Sequence, residues 1–331
     1  MTTWTKTRQM QDVERVPYTD RAEWLQIRRK GIGGSDIGAI CGFNSYRSPV
    51  SVWQDKRGEL PETEVNEAMY WGTIHEETIA KEYAKRHPEI KVENVNALLR
   101  STKNPIHYAN LDRLIIVPGG ENMVLECKTA GEWVKGKWAD GVPDQYYLQV
   151  QWYLHITGFG RGVLAVLIGG NKYKEFTVER NQSVIDGLVK MAAKFWAYVE
   201  SGEFPQEFID GSDDTAEAIA NYFGEPAQDT IFLDSPEAEI WVKEYREAHE
   251  AGKAAKLRKD DAANHLKVML GNEGTKAEVP LSDSEKPAKV TWSYTQKTDV
   301  DTKKYLQDHP VPDNLLDQYT ITKESRRFTV S

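Results

Sequence analysis

Cysteine is almost absent from this chain. Cys41 and Cys127 are the only two in 331 residues, too few for a disulfide framework or a four-thiolate zinc site. No stretch approaches the ~20 consecutive apolar residues of a membrane span. The opening MTTWTKTRQMQDVERVPYTD has no apolar core of the kind a signal peptide needs. A reducing cytoplasm is therefore the expected compartment, with no membrane partner. The seven histidines show no metal-ligand spacing, and His75 beside Glu76 reads as packing or surface. Internal repeats of 20–50 residues and low-complexity tracts are also missing. Positive charge is missing from one stretch only: residues 201–240 hold eleven Asp or Glu and no Lys or Arg. That stretch dominates the net charge of −9, and residues 1–200 sit near neutrality. Residues 1–60 carry ten basic against seven acidic side chains. The acidity of the whole chain thus leaves a nucleic-acid surface open on the first 200 residues.

What is present is ordinary globular material, 40% hydrophobic and 28% charged, enough for a sizeable core. The length suits one large domain and a smaller one, at roughly 100–200 residues per domain. Thr19 and Asp20 cap a short helix to about residue 29. A glycine-rich turn, Gly31-Ile-Gly-Gly-Ser-Asp36, opens a second helix through Ile40. Ser48-Pro49 starts a third, ending near Arg57. Residues 66–87 read as a longer helix that stops before Pro88. The period then changes to strands at 91–100, 106–117 and 122–129. Helical patterns follow within 131–139 and over 143–157, a buried strand over 163–168 with a hairpin partner at 173–178, and a helix over 181–201. This order predicts an α/β core with a sheet flanked by helices. Three regions are expected: a main domain over 1–204, an acidic connection over 205–234 with at most a short helix at 214–223, and a module over 235–331. The last begins with a long charged helix to about residue 270. It continues with strand patterns at 276–281, 288–295 and 319–330 and a short helix near 301–307.

The segment that carries chemistry is Leu111-Asp-Arg-Leu-Ile-Ile-Val-Pro-Gly-Gly-Glu-Asn-Met-Val-Leu-Glu-Cys-Lys128. Two strands flank a glycine turn. One carries Asp112, the other Glu126 and Lys128, which share a face because strand residues alternate. Counting back from the turn puts Asp112 within about one residue of Glu126. Two carboxylates converging with a lysine suit a hard divalent cation, with an ammonium left to orient or deprotonate water. A surface hairpin with a plain ion pair is the competing reading. On the 66–87 helix, Glu76 falls on a stripe with Met69, Gly72, Ile79, Ala80 and Tyr83, and either a metal or a core arginine would explain it. Gln149 shares a stripe with Tyr146, Val150 and Tyr153. Main-chain N–H groups of Gly31–Asp36 suit a phosphate, or the turn is a plain one with Ser35 as N-cap. Trp133 and Trp138 can stack on unpaired bases or pack in the core, and Trp152 reads as core.

Asp112…Glu126-Cys-Lys128 resembles the D…ExK signature of the PD-(D/E)XK nucleases. The surrounding segments resemble the YqaJ/lambda exonuclease family of phage recombination nucleases. The matching stretches are Trp24–Asp36, Trp71–Glu76, Asn110-Leu-Asp112, Leu125-Glu-Cys-Lys128 and Tyr146–Tyr153. They occur in the family's order across roughly residues 20–200. The proline of the signature is absent, Asn110-Leu111 standing before Asp112, and Gly33-Gly34 precedes Ser35 where a family member has larger residues.

The resemblance implies a restriction-endonuclease-like core, a central mixed sheet flanked by helices, with a C-terminal helical and small β module outside it. It implies that Asp112 and Glu126 ligate Mg²⁺, with Mn²⁺ as a substitute, helped by the main-chain carbonyl of Cys127 and by Glu76. Lys128 would hold or deprotonate the attacking water, and Gln149 would fix Lys128 or that water, supported by Tyr146. Arg28 and Ser35 would grip a terminal 5′ phosphate. The implied activity is 5′→3′ exonucleolytic hydrolysis of linear double-stranded DNA from its ends. The product is a 3′ single-stranded tail for a single-strand annealing protein, and the implied assembly is a homo-oligomer, a ring-shaped trimer. The competing readings are a structure-specific or nicking endonuclease on the same core, and a DNA-binding recombination protein without chemistry.

Overall fold

The computed structural model describes residues 10–60, 66–224, 230–299, 301–310 and 330. The chain divides into two compact units, Met1–Pro226 and Ala227–Ser331. The first unit opens with a short strand, β1 (Val13–Val16), which its polar sequence did not suggest. It exists because it pairs antiparallel with β3 (Leu98–Ser101), which also pairs with β4 (Tyr108–Ala109). Between them lie four helices whose starts follow from their capping residues. In α1 (Arg21–Arg29), the Asp20 carboxylate accepts from the Glu23 N–H at 2.8 Å. In α2 (Gly34–Ile40), Gly33 is the N-cap and its N–H donates to Asp36; Ser35 lies inside the first turn and caps nothing. In α3 (Pro49–Arg57), Ser48 accepts from the Ser51 N–H at 3.2 Å, with proline in the first turn. In α4 (Glu67–Arg86), Asn66 does the same for Met69.

The main sheet has five strands in the order β2-β5-β6-β7-β8, namely Lys91–Glu93, Arg113–Ile116, Met123–Ala130, Arg161–Ile168 and Lys172–Glu179. All neighbours are antiparallel except β6 and β7, which run parallel. A parallel pair needs a crossover. Here it is a 3₁₀ segment, Glu132–Trp138, followed by α5 (Asp144–Thr157). The sheet is therefore mixed and flanked by helices, as expected.

The continuous apolar run in β7 reflects burial on both faces. Leu164, Val166 and Ile168 join a large core with α2, α3, α5 and α6 (Gln182–Ser201). Val163 and Ala165 join a smaller one with Ile79, Ala80 and Tyr83 of α4. The stripe expected along α4 is buried only in its C-terminal half; Met69 is exposed and Glu76 half-buried.

The stretch 205–223 packs on α3. A 3₁₀ turn, Gln206–Phe208, and α7 (Asp213–Phe223) bury Phe208 and Ala218. The Gln54 amide donates to the Ala218 carbonyl at 2.8 Å, and the Trp53 ring meets Tyr222 edge-on at 5.2 Å. The second unit contains α8 (Pro236–Leu270), a hairpin of β9 (Lys276–Leu281) with β10 (Ser284–Thr291), and α9 (Thr302–Asp308). The strand expected at 319–330 lies outside the described residues except for its last position, and the basic pair Arg326-Arg327 with Phe328 lies outside them altogether.

Helix α2 sits unusually close to α5. A methyl group added at Gly34 would lie 2.4 Å from the Tyr153 ring and 3.0 Å from Gln149 Cγ. Gly187, midway along α6, has nothing within 4 Å. The two glycines therefore predict opposite outcomes. Gly34→Ala should lose about 1–3 kcal/mol of stability through overpacking. Gly187→Ala should gain roughly 0.4–1 kcal/mol by restricting the unfolded chain. Urea unfolding of both variants measures the contrast.

Candidate active site

The β5–β6 register sets the site. Arg113 pairs with Leu125, so the next residues out are Asp112 and Glu126. The Asp112 Oδ2 accepts from the Cys127 N–H at 2.8 Å, which ties the end of one strand to the other. Alternation then sorts the side chains. Leu125 and Cys127 face α4, whereas Glu126 faces α5, where the Gln149 amide donates to its Oε1 at 2.6 Å. The same amide donates to the Tyr153 hydroxyl at 2.9 Å. Gln149 thus holds Glu126, rather than Lys128. The Lys128 Nζ lies 2.5 Å from the Glu126 Oε1 and 5.0 Å from the centre of the Tyr146 ring, a distance at which a cation and an aromatic face attract.

The electrostatics are those of two like charges held in a dry place. Burial pushes the Asp112 carboxyl well above the ordinary carboxylate range, and the charge of Glu126 adds to the rise. Burial also raises Glu126, against the pull of Lys128. Burial lowers the Lys128 ammonium, but Glu126 and Asp112 outweigh it and hold the pKa up. Glu126 is 1% exposed, and its Oε2 is buried without a hydrogen-bond partner. A buried carboxylate oxygen left unpaired is costly. A hard cation shared by Asp112 and Glu126 would satisfy that oxygen and offset the repulsion, so this pair fits a divalent metal.

Glu76 is placed differently. It lies on α4, where Arg113 forms an ion pair with it and a second with Glu77 at 2.6 Å. Its charge raises both Asp112 and Glu126, so it is close, but its carboxylate belongs to Arg113. Among the described residues, no group of three His, Cys, Asp or Glu side chains is arranged to hold a metal. The Cys127 thiol is buried on the α4 side, and burial raises its pKa, which suits a core residue.

Arg28 and Ser35 do meet. Arg28 Nη2 donates to Ser35 Oγ at 3.3 Å and to Asp36 Oδ1 at 2.8 Å. Asp36 is fully buried and central to a cluster that sequence reading missed. Lys56, buried on α3, donates to Asp36 Oδ2 at 2.6 Å and to the Arg28 carbonyl at 3.0 Å. Arg47 reaches Asp36 and, at 3.0 Å, Asp55; Arg29 also reaches Asp55. Burial pushes the Asp36 carboxyl up, but Lys56, Arg28 and Arg47 together push it further down. Burial lowers Lys56 to about 8 despite Asp36. A lysine on a short helix reads as surface, and no signal in the sequence marks this one as buried. The undecided tryptophans also separate: Trp138 is buried and stacks on Tyr146 at 5.5 Å, whereas Trp133 is exposed. Trp152 is in the core, its Nε1 donating to the Tyr108 carbonyl at 3.0 Å.

The depressed Asp36 pKa has a definite pH consequence. A carboxylate depressed in the folded state stabilises fully above its unfolded value of ~3.9, and the contribution is lost as the pH falls below it. Asp36→Asn should cost about 3–5 kcal/mol at neutral pH, because three cations lose their buried partner. It should also flatten the fall in stability between about pH 4 and pH 2, as read by unfolding at a series of pH values.

Comparison with known proteins bears on this same region. Residues 23–160 match the YqaJ-like viral recombinase domain. The chain is 39% identical over 210 residues to the uncharacterized protein YqaJ of Bacillus subtilis (strain 168), a match covering 62% of this chain and 64% of that protein, just under two thirds of its length. Among solved structures it resembles an alkaline exonuclease, LHK-Exo, from Laribacter hongkongensis. That likeness has 18% identity and a TM-score of 0.46, over 55% of this chain and 93% of the other. A phage related exonuclease from Haemophilus somnus 129PT gives 12% identity and a TM-score of 0.37, over 52% of this chain and 94% of the other. The matched span holds Arg28, Asp36, Asp112, Glu126, Lys128 and Gln149, so the chain is similar to the YqaJ-like viral recombinase domain over the segment that carries the whole candidate site.

Proposed function

We propose that this chain is a divalent-metal-dependent nuclease that degrades linear double-stranded DNA from its ends, 5′→3′. The observation that carries the reading is the pair Asp112 and Glu126, a half-buried and a fully buried carboxylate at one point of the sheet with the Lys128 ammonium 2.5 Å from the second. Asp112, Glu126 and the main-chain carbonyl of Cys127 are the oxygens that would hold Mg²⁺, or Mn²⁺ in its place. When bound, such a cation makes a water acidic and neutralises charge on a phosphate. The chain's own groups do the rest. Gln149 keeps Glu126 aimed through its 2.6 Å hydrogen bond. Lys128, held between Glu126 and the Tyr146 ring, is placed to donate hydrogen bonds to the attacking water and to a phosphate oxygen. Glu76 joins the metal only by giving up Arg113.

End recognition rests on the Arg28 cluster. Arg28, Arg29, Arg47 and Lys56 face only Asp36 and Asp55 in it, an excess of positive charge that suits a phosphate. It adjoins the carboxylate pair, because Gly34 of α2 lies against Gln149 and Tyr153. A 5′ phosphate gripped by Arg28 and Ser35 would set the polarity and leave a 3′ tail for an annealing protein.

Linear duplex labelled at either end, with and without a 5′ phosphate, separates the possibilities. Nucleotides should leave from the 5′ end only when Mg²⁺ is present, and chelation should stop release. Glu126→Gln and Lys128→Ala should each lower kcat by about 10²–10³-fold. Arg28→Ala should abolish the preference for phosphorylated ends. Closed circular DNA cut at a rate comparable to linear duplex would overturn the exonuclease reading.

A further inference from the structure

A groove of about 920 Å³ starts where the carboxylate pair ends, at the upper end of the ~300–1,000 Å³ usual for a ligand site. Thr129 and Ala130, directly after Lys128 on β6, line it, as does Tyr146, whose ring sits beneath the Lys128 ammonium. Its walls are aromatic: Phe43, Tyr46, Trp71 and Trp133. These rings are exposed by 51%, 75%, 49% and 88%, although burying large apolar rings is what folding ordinarily achieves.

Two of the rings have defined neighbours. The Trp71 Nε1 donates to Glu67 at 2.9 Å, and its ring stacks on His75 at 5.8 Å. The Trp133 ring lies against the main chain of Gly131, so closely that a methyl group there would come within 2.4–2.6 Å of three ring atoms. Gly131 has φ −69°, a conformation open to any residue. An alanine there would meet the outer edge of the exposed Trp133 ring and turn it aside. Charge at the groove is mixed. Lys137 is exposed at its edge; Glu132 is neutralised by Lys135 at 2.7 Å and Lys172 at 2.8 Å; Asp144 is the remaining acid.

We propose that this groove binds unpaired nucleotides of a DNA strand, their bases stacking on Trp71 and Trp133. The inference rests on the nuclease reading for its choice of ligand: a row of exposed aromatic faces that adjoins a phosphodiester site is matched by a strand that offers both phosphates and flat bases. Stacking accepts every base, since each has a π-face. The enzyme would accordingly draw on frayed or single-stranded ends regardless of sequence.

The test is a binding cycle that needs no cleavage. The full chain is titrated against a short, fluorescein-labelled single-stranded oligodeoxynucleotide in EDTA, followed by anisotropy. A second oligonucleotide has abasic sites in place of two adjacent bases. At ~1–3 kcal/mol per stacked base, Trp133→Ala and Trp71→Ala should each weaken binding by about 5- to 150-fold. Trp133→Phe should retain most of the affinity, and Gly131→Ala, which displaces the ring, should behave like Trp133→Ala. The abasic strand should bind the native protein more weakly, and that penalty should shrink in Trp133→Ala, where Trp71 alone is left to stack. Equal affinities for all four variants, or an abasic penalty undiminished in Trp133→Ala, would overturn the inference. If that happens while labelled duplex is still degraded, the nuclease reading survives alone. Base-dependent binding without any release of nucleotides in Mg²⁺ would leave this groove standing and the nuclease reading refuted.

Discussion

The structure depends on keeping two carboxylates of the same sign side by side in a sheet. Asp112 and Glu126 meet because β5 and β6 are in one register, and the charge of Glu126 makes Asp112 harder to ionise. Slipping that pairing by a single residue would send Glu126 to the other face of the sheet. Much of the surrounding design fixes the register. Cys127 gives its N–H to Asp112, Arg113 pairs with Leu125, and the parallel neighbour β7 holds β6 along its whole length, from Val124 to Ala130. The βαβ crossover has a second effect. It brings α5 over the α5-facing side of β6, so that Gln149 reaches the buried glutamate.

Helix packing extends this arrangement outward. Gly34 lets α2 approach Tyr153 and Gln149 at a distance no side chain would allow. The turn that carries Ser35 and Asp36 is thereby brought to the Gln149 and Tyr153 side chains, the first of which holds Glu126. Asp36 shows why this region holds its shape. A buried carboxylate with Lys56, Arg28 and Arg47 on its oxygens is stable only while all the partners stay in position. The backbone of Arg28 is held by Lys56 as well. The guanidinium therefore extends from a fixed base, with little rotamer freedom left to lose.

Some of this was legible in the amino-acid order and some was not, for physical reasons. Ser48-Pro49 announces α3 because capping and the fixed φ of proline are local effects. The apolar run 163–168 announces a strand buried on both faces. The hairpin around Val117-Pro-Gly-Gly-Glu121 brings Asp112 near Glu126 by counting alone. Local rules do not reach the sheet from which a neighbour comes. The strand β1 is invisible because its partner β3 begins 85 residues away, at Leu98. Gln149 lies on the expected stripe, but only the crossover decides that it meets Glu126 rather than Lys128. Lys56 has the sequence context of a surface lysine; its burial is imposed by Asp36, twenty residues earlier. Trp133 and Trp138 differ by five positions and by everything else, since one turn of 3₁₀ helix directs one ring onto Tyr146 and the other onto Gly131.

Glu76 brings a third negative charge close to the first two, and like charges gathered at one place need counter-groups. Each of the three carboxylates has its own compensating group. Glu126 has Lys128 and Gln149, Asp112 has the Cys127 N–H, and Glu76 has Arg113. Arg113 follows Asp112 directly, so alternation sends it to the α4 side while Asp112 stays with Glu126. One strand thereby supplies a carboxylate to one face and the counter-charge for a second carboxylate to the other. The buried Oε2 of Glu126 is left without a hydrogen-bond partner. A cation entering here would meet a pair already assembled and an oxygen already stripped of water. The desolvation that usually opposes ion binding has been met during folding, by the burial of β6 between two helical layers.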